Sequence, residues 1–283
     1  MSTTNGLQGK VALVTGATAK RGMGHAIALR LAREGADVAV FDKLESARSL
    51  FPGDEGWRGL PAVVEAVEAL GRRATALTVD IADAAATDAA VATVIERLGK
   101  VDVLVNCAAI RGTPNVELAE GDAAEWKALF DVNLLGAFNI TKPVVRHLKA
   151  RGEGGKIIHF ASVAGRMGAR GNAAYAASKW GVIGLVQSLA LEVAAQRINV
   201  NAVCPGMIIT NLRDQHIEDG AKRQGVTAEQ FRADEYAQVG KMIPIGRMGT
   251  VDDIADVVSF LASSQSDYMT GQSLNVCGGV RMD

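Results

Sequence analysis

Short β-branched runs alternate with amphipathic helical patterns along the whole sequence, and this alternation constrains the fold more than any other feature. Between the runs, apolar residues recur three and four positions apart, and stretches such as HAIALRLAREG and AAVATVIERLG end at a glycine suited to a helix C-cap. Strand–helix alternation is typical of a parallel sheet covered by helices on both faces, so we expect one α/β domain over residues 1–283. The predicted buried strands are 11–15, 37–41, 74–79, 101–106, 156–162 and 198–203.

Two segments fall outside this alternation. Leu44–Pro61 is a polar insertion after the second predicted strand, and 211–247 is a long, charged and amphipathic stretch after the sixth. Ligands of open parallel sheets bind at the carboxyl ends of the strands. We therefore predict that 211–247 forms a helical lid over a substrate, the alternative being a solvated connection.

The composition and the residue spacing exclude several function classes. A formal net charge of −1 gives no basic surface for nucleic acid. No apolar run approaches the roughly 18 residues that span a membrane, and the start of the sequence lacks a signal-peptide pattern. Cys107, Cys204 and Cys277 are widely separated, which indicates reduced thiols and a cytoplasmic protein. The four histidines lack the spacing of metal ligands, so no metal is expected.

The stretch TGATAKRGMG, residues 15–24, has the context of a dinucleotide-binding loop because it follows a strand and opens a helix. Gly16 would make the turn off the strand, while Gly22 and Gly24 stand at the start of the helix. Glycines there let backbone N–H groups approach a pyrophosphate, whose charge the helix N-terminus favours. A purely structural turn is the alternative interpretation.

Asp42 ends the second strand, 20 residues after Gly22, where an acid would bind the adenosine ribose hydroxyls. At ~4 Å and an effective dielectric constant of ~20, repulsion from the Asp42 carboxylate would cost about 4 kcal/mol for each charge of a 2′-phosphate. Lys20, Arg21 and Lys43 offset this only weakly, since exposed ion pairs contribute about 0–1 kcal/mol each. The sequence therefore predicts NAD as the cofactor, with NADP as the alternative.

The segment YAASK carries the strongest catalytic signal. Tyr175 and Lys179 are four residues apart and would share one face of a helix. A tyrosine with a pKa of about 10 is a poor base at neutral pH. A nearby ammonium group would lower that pKa, so we expect Lys179 to turn Tyr175 into a general acid/base.

Further motifs resemble one known family. Ser162 ends the fifth predicted strand, NCAA begins at Asn106, Asn133 lies in DVNLLGAF, and CPG is followed by Thr210. With the glycine loop and YAASK, these motifs resemble the short-chain dehydrogenase/reductases nearly from end to end. The resemblance implies a Rossmann-type, doubly wound sheet of seven strands, with TGQSLNVCGG supplying the last strand. It also implies a homotetramer.

The resemblance assigns expected roles to residues as well. The catalytic set would be Asn133, Ser162, Tyr175 and Lys179. The residues expected to contact the cofactor are Gly16, Arg21, Gly22, Met23, Gly24, Asp42, Asp80, Ile81, Asn106, Tyr175, Lys179, Pro205, Gly206, Ile208 and Thr210.

The implied reaction is reversible hydride transfer between a nicotinamide cofactor and a secondary alcohol or ketone. Tyr175 would exchange the proton, Ser162 would stabilise the substrate oxygen, and Asn133 would hold a proton-relay water near Lys179. Two departures bear on this interpretation. Five residues separate Gly16 from Gly22, a spacing that resembles the enoyl reductase branch, although that branch spaces its tyrosine and lysine more widely than YxxxK. The family's NNAG motif also reads NCAA here. An enoyl-type C=C reductase and a non-catalytic dinucleotide-binding scaffold are therefore the alternatives.

Substrate contacts are the least determined part of the site. Arg111 follows the fourth strand and Arg166 follows Ser162, so both would rim the substrate cavity and clamp a carboxylate, phosphate or sulfonate. Ordinary surface solvation is the alternative. Met207 and His216 are further candidates for substrate contact, whereas His159 is interpreted as a core residue.

The polar starts of two later helices are interpreted as caps. Asp122 is followed by Glu125, and Thr250 is followed by Asp253 three residues on. Asp252 and Asp253 are therefore expected to stabilise a helix N-terminus and not to form a catalytic pair of acids.

Overall fold

A parallel sheet of seven strands forms the centre of the molecule, for which the computed structural model describes residues 6–46 and 54–283. The strand order is β3-β2-β1-β4-β5-β6-β7, so successive strands are added on one side of β1 up to β3 and on its other side from β4 onward. This confirms the predicted doubly wound sheet. The strands are β1 Val11–Thr15, β2 Asp37–Asp42, β3 Ala74–Thr78, β4 Val103–Asn106, β5 Gly155–Phe160, β6 Ile198–Pro205 and β7 Ser273–Val276.

Helices cover both faces of this sheet and bury two apolar clusters. One cluster packs α3, α5 and α6 against one face, and the other packs α1, α2 and α9 against the opposite face. The helices are α1 Met23–Arg33, α2 Leu60–Glu68, α3 Ala84–Leu98, α4 Ala123–Phe130, α5 Gly136–Arg151, α6 Ala173–Val193, α7 Asp214–Gln224, α8 Ala228–Lys241 and α9 Val251–Ala262.

The predicted start signals act as caps, though in two different ways. Thr250 and Asp253 form a reciprocal capping box at the start of α9. Asp122 caps α4 by accepting the Ala124 N–H at 2.9 Å. The Glu125 carboxylate does not complete a box there, because it accepts the backbone N–H of Thr113.

The segment predicted as a lid is helical, as expected. After β6 the chain forms α7 and α8, which pack against each other. Val239, Ile243 and Met248 bury a small apolar cluster beneath them. Of the predicted insertion, the structure describes 44–46 and 54–61, while 47–53 lie outside the described residues.

Several features bear on the excluded function classes. In the part of the chain that the structure describes, no helix is both long and apolar enough to cross a bilayer. Across residues 6–46 and 54–283, no group of three or more His, Cys, Asp or Glu side chains is placed to hold a metal ion. All three cysteines carry free thiols.

Candidate active site

The glycine loop is shaped so that nothing larger than hydrogen fits at two of its positions. Gly16 has φ +71°, and a Cβ there would lie 2.9 Å from the Ala108 backbone nitrogen. A Cβ on Gly24 would lie 2.3 Å from the Gly16 carbonyl oxygen. Gly22 is the N-cap of α1 and provides no side-chain cap. The loop and the start of α1 therefore fit an anion such as a pyrophosphate.

The two basic residues inserted in this loop are held by acids from other parts of the chain. The Lys20 ammonium lies 3.3 Å from an Asp54 oxygen, and the Arg21 Nε lies 3.2 Å from the other. Arg21 also pairs with Asp214 at 2.5 Å, and its backbone N–H donates to the Asn211 Oδ1 at 2.8 Å. Asp54 belongs to the insertion and Asp214 begins α7. The wide glycine spacing thus provides two residues that join the loop to the insertion and to α7.

Asp42 lies beside the glycine loop, as the sequence predicted. Its carboxylate accepts the Thr18 N–H at 3.1 Å, and burial raises the pKa of this carboxyl above its ordinary value. Next to it, Lys43 pairs with Asp80 at 2.7 Å, and the hydrogen bond from Lys43 lowers the Asp80 pKa despite some burial. Each of the three cations that would offset a 2′-phosphate is therefore paired with an acid.

Two further residues that were expected to contact the cofactor, Ile81 and Asn106, are buried. Ile81 is 3% exposed, and its backbone oxygen accepts the Asn139 amide at 2.9 Å. The Asn106 Oδ1 accepts the Thr15 hydroxyl at 2.6 Å, and its amide lies 3.4 Å from His159. His159 is fully buried, which confirms its interpretation as a core residue, and burial lowers its pKa to about 4.

A cavity of about 250 Å³ opens beyond the ends of β4, β5 and β6 and collects the residues expected to react. Ser162, Tyr175 and Lys179 line it together, although they come from the end of β5 and from α6. Ser162 also caps a short 3-10 turn by accepting the Ala164 N–H at 3.2 Å, which fixes it just beyond the strand. The predicted cofactor residues on the wall are Met23, Pro205, Gly206, Ile208 and Thr210, and the predicted substrate residue Met207 lies beside them.

Tyr175 and Lys179 lie close together, but their electrostatics differ from the expectation. The Lys179 Nζ lies 5.7 Å from the centre of the Tyr175 ring and donates to the Phe160 carbonyl at 2.8 Å. Burial lowers the pKa of Lys179 to about 8. Burial also raises the pKa of Tyr175, opposed by a hydrogen bond from Ser162 and by the charge of Arg111. The expected lowering of the phenol pKa by Lys179 is therefore absent from the protein alone, since desolvation outweighs the nearby charges.

Asn133 forms hydrogen bonds with the backbone of Ile110, beside the cavity. It is buried in a π-helical turn, Asp131–Leu135, which joins α4 to α5. Its amide donates to the Ile110 carbonyl at 2.9 Å and to the Ser178 hydroxyl at 3.0 Å, and its oxygen accepts the Ile110 N–H at 2.9 Å. Asn133 therefore fixes the loop that follows β4.

The expected substrate residues are only partly brought together. Arg111 lines the cavity. Arg166 does not, because its guanidinium donates to the Ser273 carbonyl at 3.1 Å and to the Asp283 carbonyl at 2.5 Å, so the predicted pair of arginines does not form. His216 also lies away from the cavity, where its Nε2 is 2.9 Å from Glu235 within the helical pair.

Arg213 and Asn172 are among the cavity residues that the sequence did not predict. Arg213, just before α7, lines the wall and pairs with Glu235. Asn172, three residues before Tyr175, also lines it, and its Oδ1 is buried without a hydrogen-bond partner in the described structure. The spacing of Asn172 from Tyr175, a little less than one helical turn, was the signal that could have identified it.

Comparison with known proteins identifies the family. A family model described as short chain dehydrogenase matches residues 10–221. The chain belongs to this family. It is therefore an oxidoreductase with the doubly wound fold of its relatives.

Many relatives match nearly the whole chain, among them two enzymes and one solved structure. The chain is 40% identical to the 3-oxoacyl-[acyl-carrier-protein] reductase FabG of Staphylococcus aureus, covering 96% of this chain and 98% of that protein. It is 38% identical to the sorbitol dehydrogenase of Cereibacter sphaeroides, over 96% and 98% of the two chains. Among solved structures, carveol dehydrogenase from Mycobacterium avium in complex with NAD superposes with a TM-score of 0.84 at 33% identity, over 97% and 98% of the chains.

Proposed function

We propose that this protein interconverts a secondary alcohol and a ketone with NAD as the hydride carrier. The observation that carries the proposal is the convergence of Ser162, Tyr175 and Lys179 on one cavity beside a glycine loop built for a pyrophosphate. Of the relatives described above, one is named for an oxoacyl substrate and two for alcohols, and one of these was solved with NAD.

The residues present fit a nicotinamide dinucleotide. The glycine loop and the N-terminus of α1 would hold the pyrophosphate, Asp42 the adenosine ribose, and Ile208 and Thr210 the nicotinamide end. When bound, the nicotinamide accepts or supplies the hydride, and its positive oxidised form favours a deprotonated phenol nearby.

The protein's own groups would manage the proton and the geometry. In the oxidative direction, the Tyr175 phenolate takes the hydroxyl proton of the alcohol while the carbinol hydrogen leaves as hydride. Ser162 donates a hydrogen bond to the substrate oxygen and stabilises its developing charge. The Lys179 ammonium, 5.7 Å from the centre of the Tyr175 ring, would favour the phenolate, although in the protein alone desolvation outweighs this attraction. Asn133 contributes by holding Ile110 in place.

The preference for NAD follows from the charges around Asp42. Lys20, Arg21 and Lys43 are paired with Asp54, Asp214 and Asp80, so they offer little net charge to a 2′-phosphate. The Asp42 carboxylate would meet that phosphate directly.

Replacing Asp42 with asparagine is expected to shift the cofactor preference toward NADP. The ratio of kcat/KM for NAD over that for NADP should fall by about 10- to 100-fold, because the repulsion of the 2′-phosphate disappears. Steady-state kinetics with both cofactors would measure the ratio. Asp83→Asn, which changes an exposed cap of α3, is the control. An unchanged ratio in Asp42→Asn would show that this carboxylate does not select the cofactor.

The proposed reaction is tested by offering a panel of secondary alcohols with NAD and following the absorbance of the reduced nicotinamide. We expect at least one alcohol to be oxidised and its ketone to be reduced in the reverse assay. If the protein binds NAD but turns over no alcohol or ketone, while it reduces an α,β-unsaturated thioester, the enoyl reductase alternative holds.

We also propose a homotetramer in the cytoplasm. An apolar groove formed by α4, the π-helical turn, α5 and α6 is lined by Phe130, Leu134, Leu135, Phe138 and Leu185. Leu135 and Phe138 are each about half exposed, which is typical of a surface that packs against another copy. The free cysteines suit a reducing compartment.

Light scattering coupled to size exclusion is expected to give the mass of four chains. The Phe138→Glu variant should give a smaller species, because a charge would be buried at the contact between copies. A tetramer that survives this change would place the interface elsewhere.

A further inference from the structure

The catalytic cavity carries an excess of positive charge. Its charged lining residues are Arg111, Lys179 and Arg213, and within the described ranges no aspartate or glutamate lines it. Lys179 is buried at the phenol and bound to the Phe160 carbonyl. Arg213 is largely buried and paired with Glu235. Of these three cations, Arg111 is the one for which the described structure gives no hydrogen-bond or ion-pair partner.

Arg111 is exposed at the rim of this cavity, and the structure gives it no ion pair or hydrogen bond among residues 6–46 and 54–283. Its neighbour Ile110 is fixed by hydrogen bonds from Asn133 to both its N–H and its carbonyl. The guanidinium therefore extends from a well-held backbone. Arg111 and Tyr175 line the same cavity, and the charge of Arg111 opposes the rise in the Tyr175 pKa that burial causes.

Three acids, Glu117, Asp122 and Glu125, line a second, smaller cavity that shares Arg111 and Tyr175 with the catalytic one. Among the described residues, none of these acids forms an ion pair with Arg111. The Glu125 carboxylate accepts the Thr113 N–H, and Asp122 caps α4. The pyrophosphate of a cofactor has its own partners in the glycine loop and α1. Arg111 is thus left to meet a substrate.

We infer that Arg111 is a specificity-determining residue for an anionic group on the substrate, which makes the substrate a hydroxy acid or oxo acid. This inference rests on the proposed function. A guanidinium binds a carboxylate or a phosphate through two parallel N–H···O bonds, so the shared chemistry is an oxyanion attached to the molecule that bears the reacting carbinol. A neutral alcohol would leave the charge of Arg111 in solvent and gain nothing from it.

The experiment compares acids with matched neutral molecules. The probes are 2-, 3- and 4-hydroxypentanoate, their methyl esters and 2-pentanol, with 4-hydroxypentyl phosphate as the phosphate arm. We expect the best anion to exceed its neutral counterpart in kcat/KM by about tenfold, mainly through KM. Arg111→Met should bring the ratio of kcat/KM for the anion over that for its ester close to one, whereas Arg111→Lys should keep part of the preference. Comparing the phosphate with the carboxylates identifies which oxyanion the site takes.

Two controls separate this effect from general attraction of anions and from damage to the site. Arg170→Gln removes an exposed arginine that does not line the cavity and should keep the preference for the anion. A change in the Tyr175 pKa caused by losing Arg111 would alter acids and esters equally, so only the ratio between them reports recognition.

The possible outcomes distinguish failure of the inference about Arg111 from failure of the proposed function. Turnover of esters and acids with equal efficiency, or an anion preference unchanged in Arg111→Met, overturns the inference and leaves the proposed function intact. If neither class turns over, the proposed function fails, and calorimetric binding of the corresponding oxopentanoates to the protein with reduced nicotinamide then decides the role of Arg111. Binding that weakens about tenfold in Arg111→Met supports that role, and no Arg111-dependent binding rejects it.

Discussion

Tyr175→Phe is expected to lower kcat by about 10²–10⁴-fold while leaving NAD affinity within about twofold, because it removes the proton-exchanging hydroxyl and little else. Among the described residues that line the cavity, Tyr175 is the one tyrosine. No other phenol of the cavity wall can therefore replace its hydroxyl. Steady-state turnover of the best alcohol and fluorescence titration with the reduced cofactor measure the two quantities.

Tyr268→Phe is the matched control for this change. Tyr268 is fully exposed at the opposite, amino-terminal edge of the sheet, and its substitution should leave both quantities unchanged. Turnover retained by Tyr175→Phe would show that another group exchanges the proton. Loss of turnover accompanied by loss of cofactor binding would instead indicate a structural role for the hydroxyl.

Lys179→Met is expected to reduce kcat by at least 10²-fold and, at the same time, to change how stability depends on pH. The 2% exposed ammonium of Lys179 has a pKa lowered from 10.5 to about 8 by burial. Below pH 8 both the folded and the unfolded chains hold this proton, and the folded chain bears the full desolvation cost. That shift corresponds to about 3 kcal/mol.

The sign of the pH dependence follows from this difference. Between about pH 8 and 10.5 the unfolded chain binds more protons at this position than the folded one, so the wild-type protein gains stability as the pH rises. The methionine variant lacks that gain. Its free energy of unfolding relative to wild type should therefore be higher at pH 7 than at pH 9.5, as measured by urea unfolding. Lys149→Met, at an exposed position of α5, should show no such change, and an equal difference at both pH values for Lys179→Met would contradict the account.

The parts of the site that the sequence predicted well are those encoded locally. A glycine loop between a strand and a helix, and a tyrosine and lysine four residues apart, each occupy one short segment whose geometry follows from its own backbone. Ser162 was also placed correctly, since residues that follow parallel strands meet at one edge of the sheet.

The parts that the sequence could not predict depend on contacts between distant segments. Arg21 meets Asp54 and Asp214, which are 33 and 193 residues away, and neither acid stands in a recognisable pattern. Arg166 resembles a cavity residue by position, yet its guanidinium turns to the end of the chain at Asp283.

The pKa of Tyr175 could not be predicted from the sequence for a similar reason. The spacing of YAASK correctly places an ammonium near the phenol, but it carries no information about how far both groups are buried. In the structure desolvation raises the phenol pKa, and the same burial lowers that of Lys179. A pKa at such a site is set by the whole surrounding fold.

Hydride transfer from the alcohol to the nicotinamide is tested most directly by following the carbinol hydrogen. The best secondary alcohol, deuterated at its carbinol carbon, would be incubated with NAD and the protein, and the cofactor would be recovered for mass spectrometry. We expect reduced nicotinamide that carries the deuterium, formed by the wild type and not by Tyr175→Phe. Reduced cofactor without deuterium, or deuterium transfer that persists without the Tyr175 hydroxyl, would contradict it.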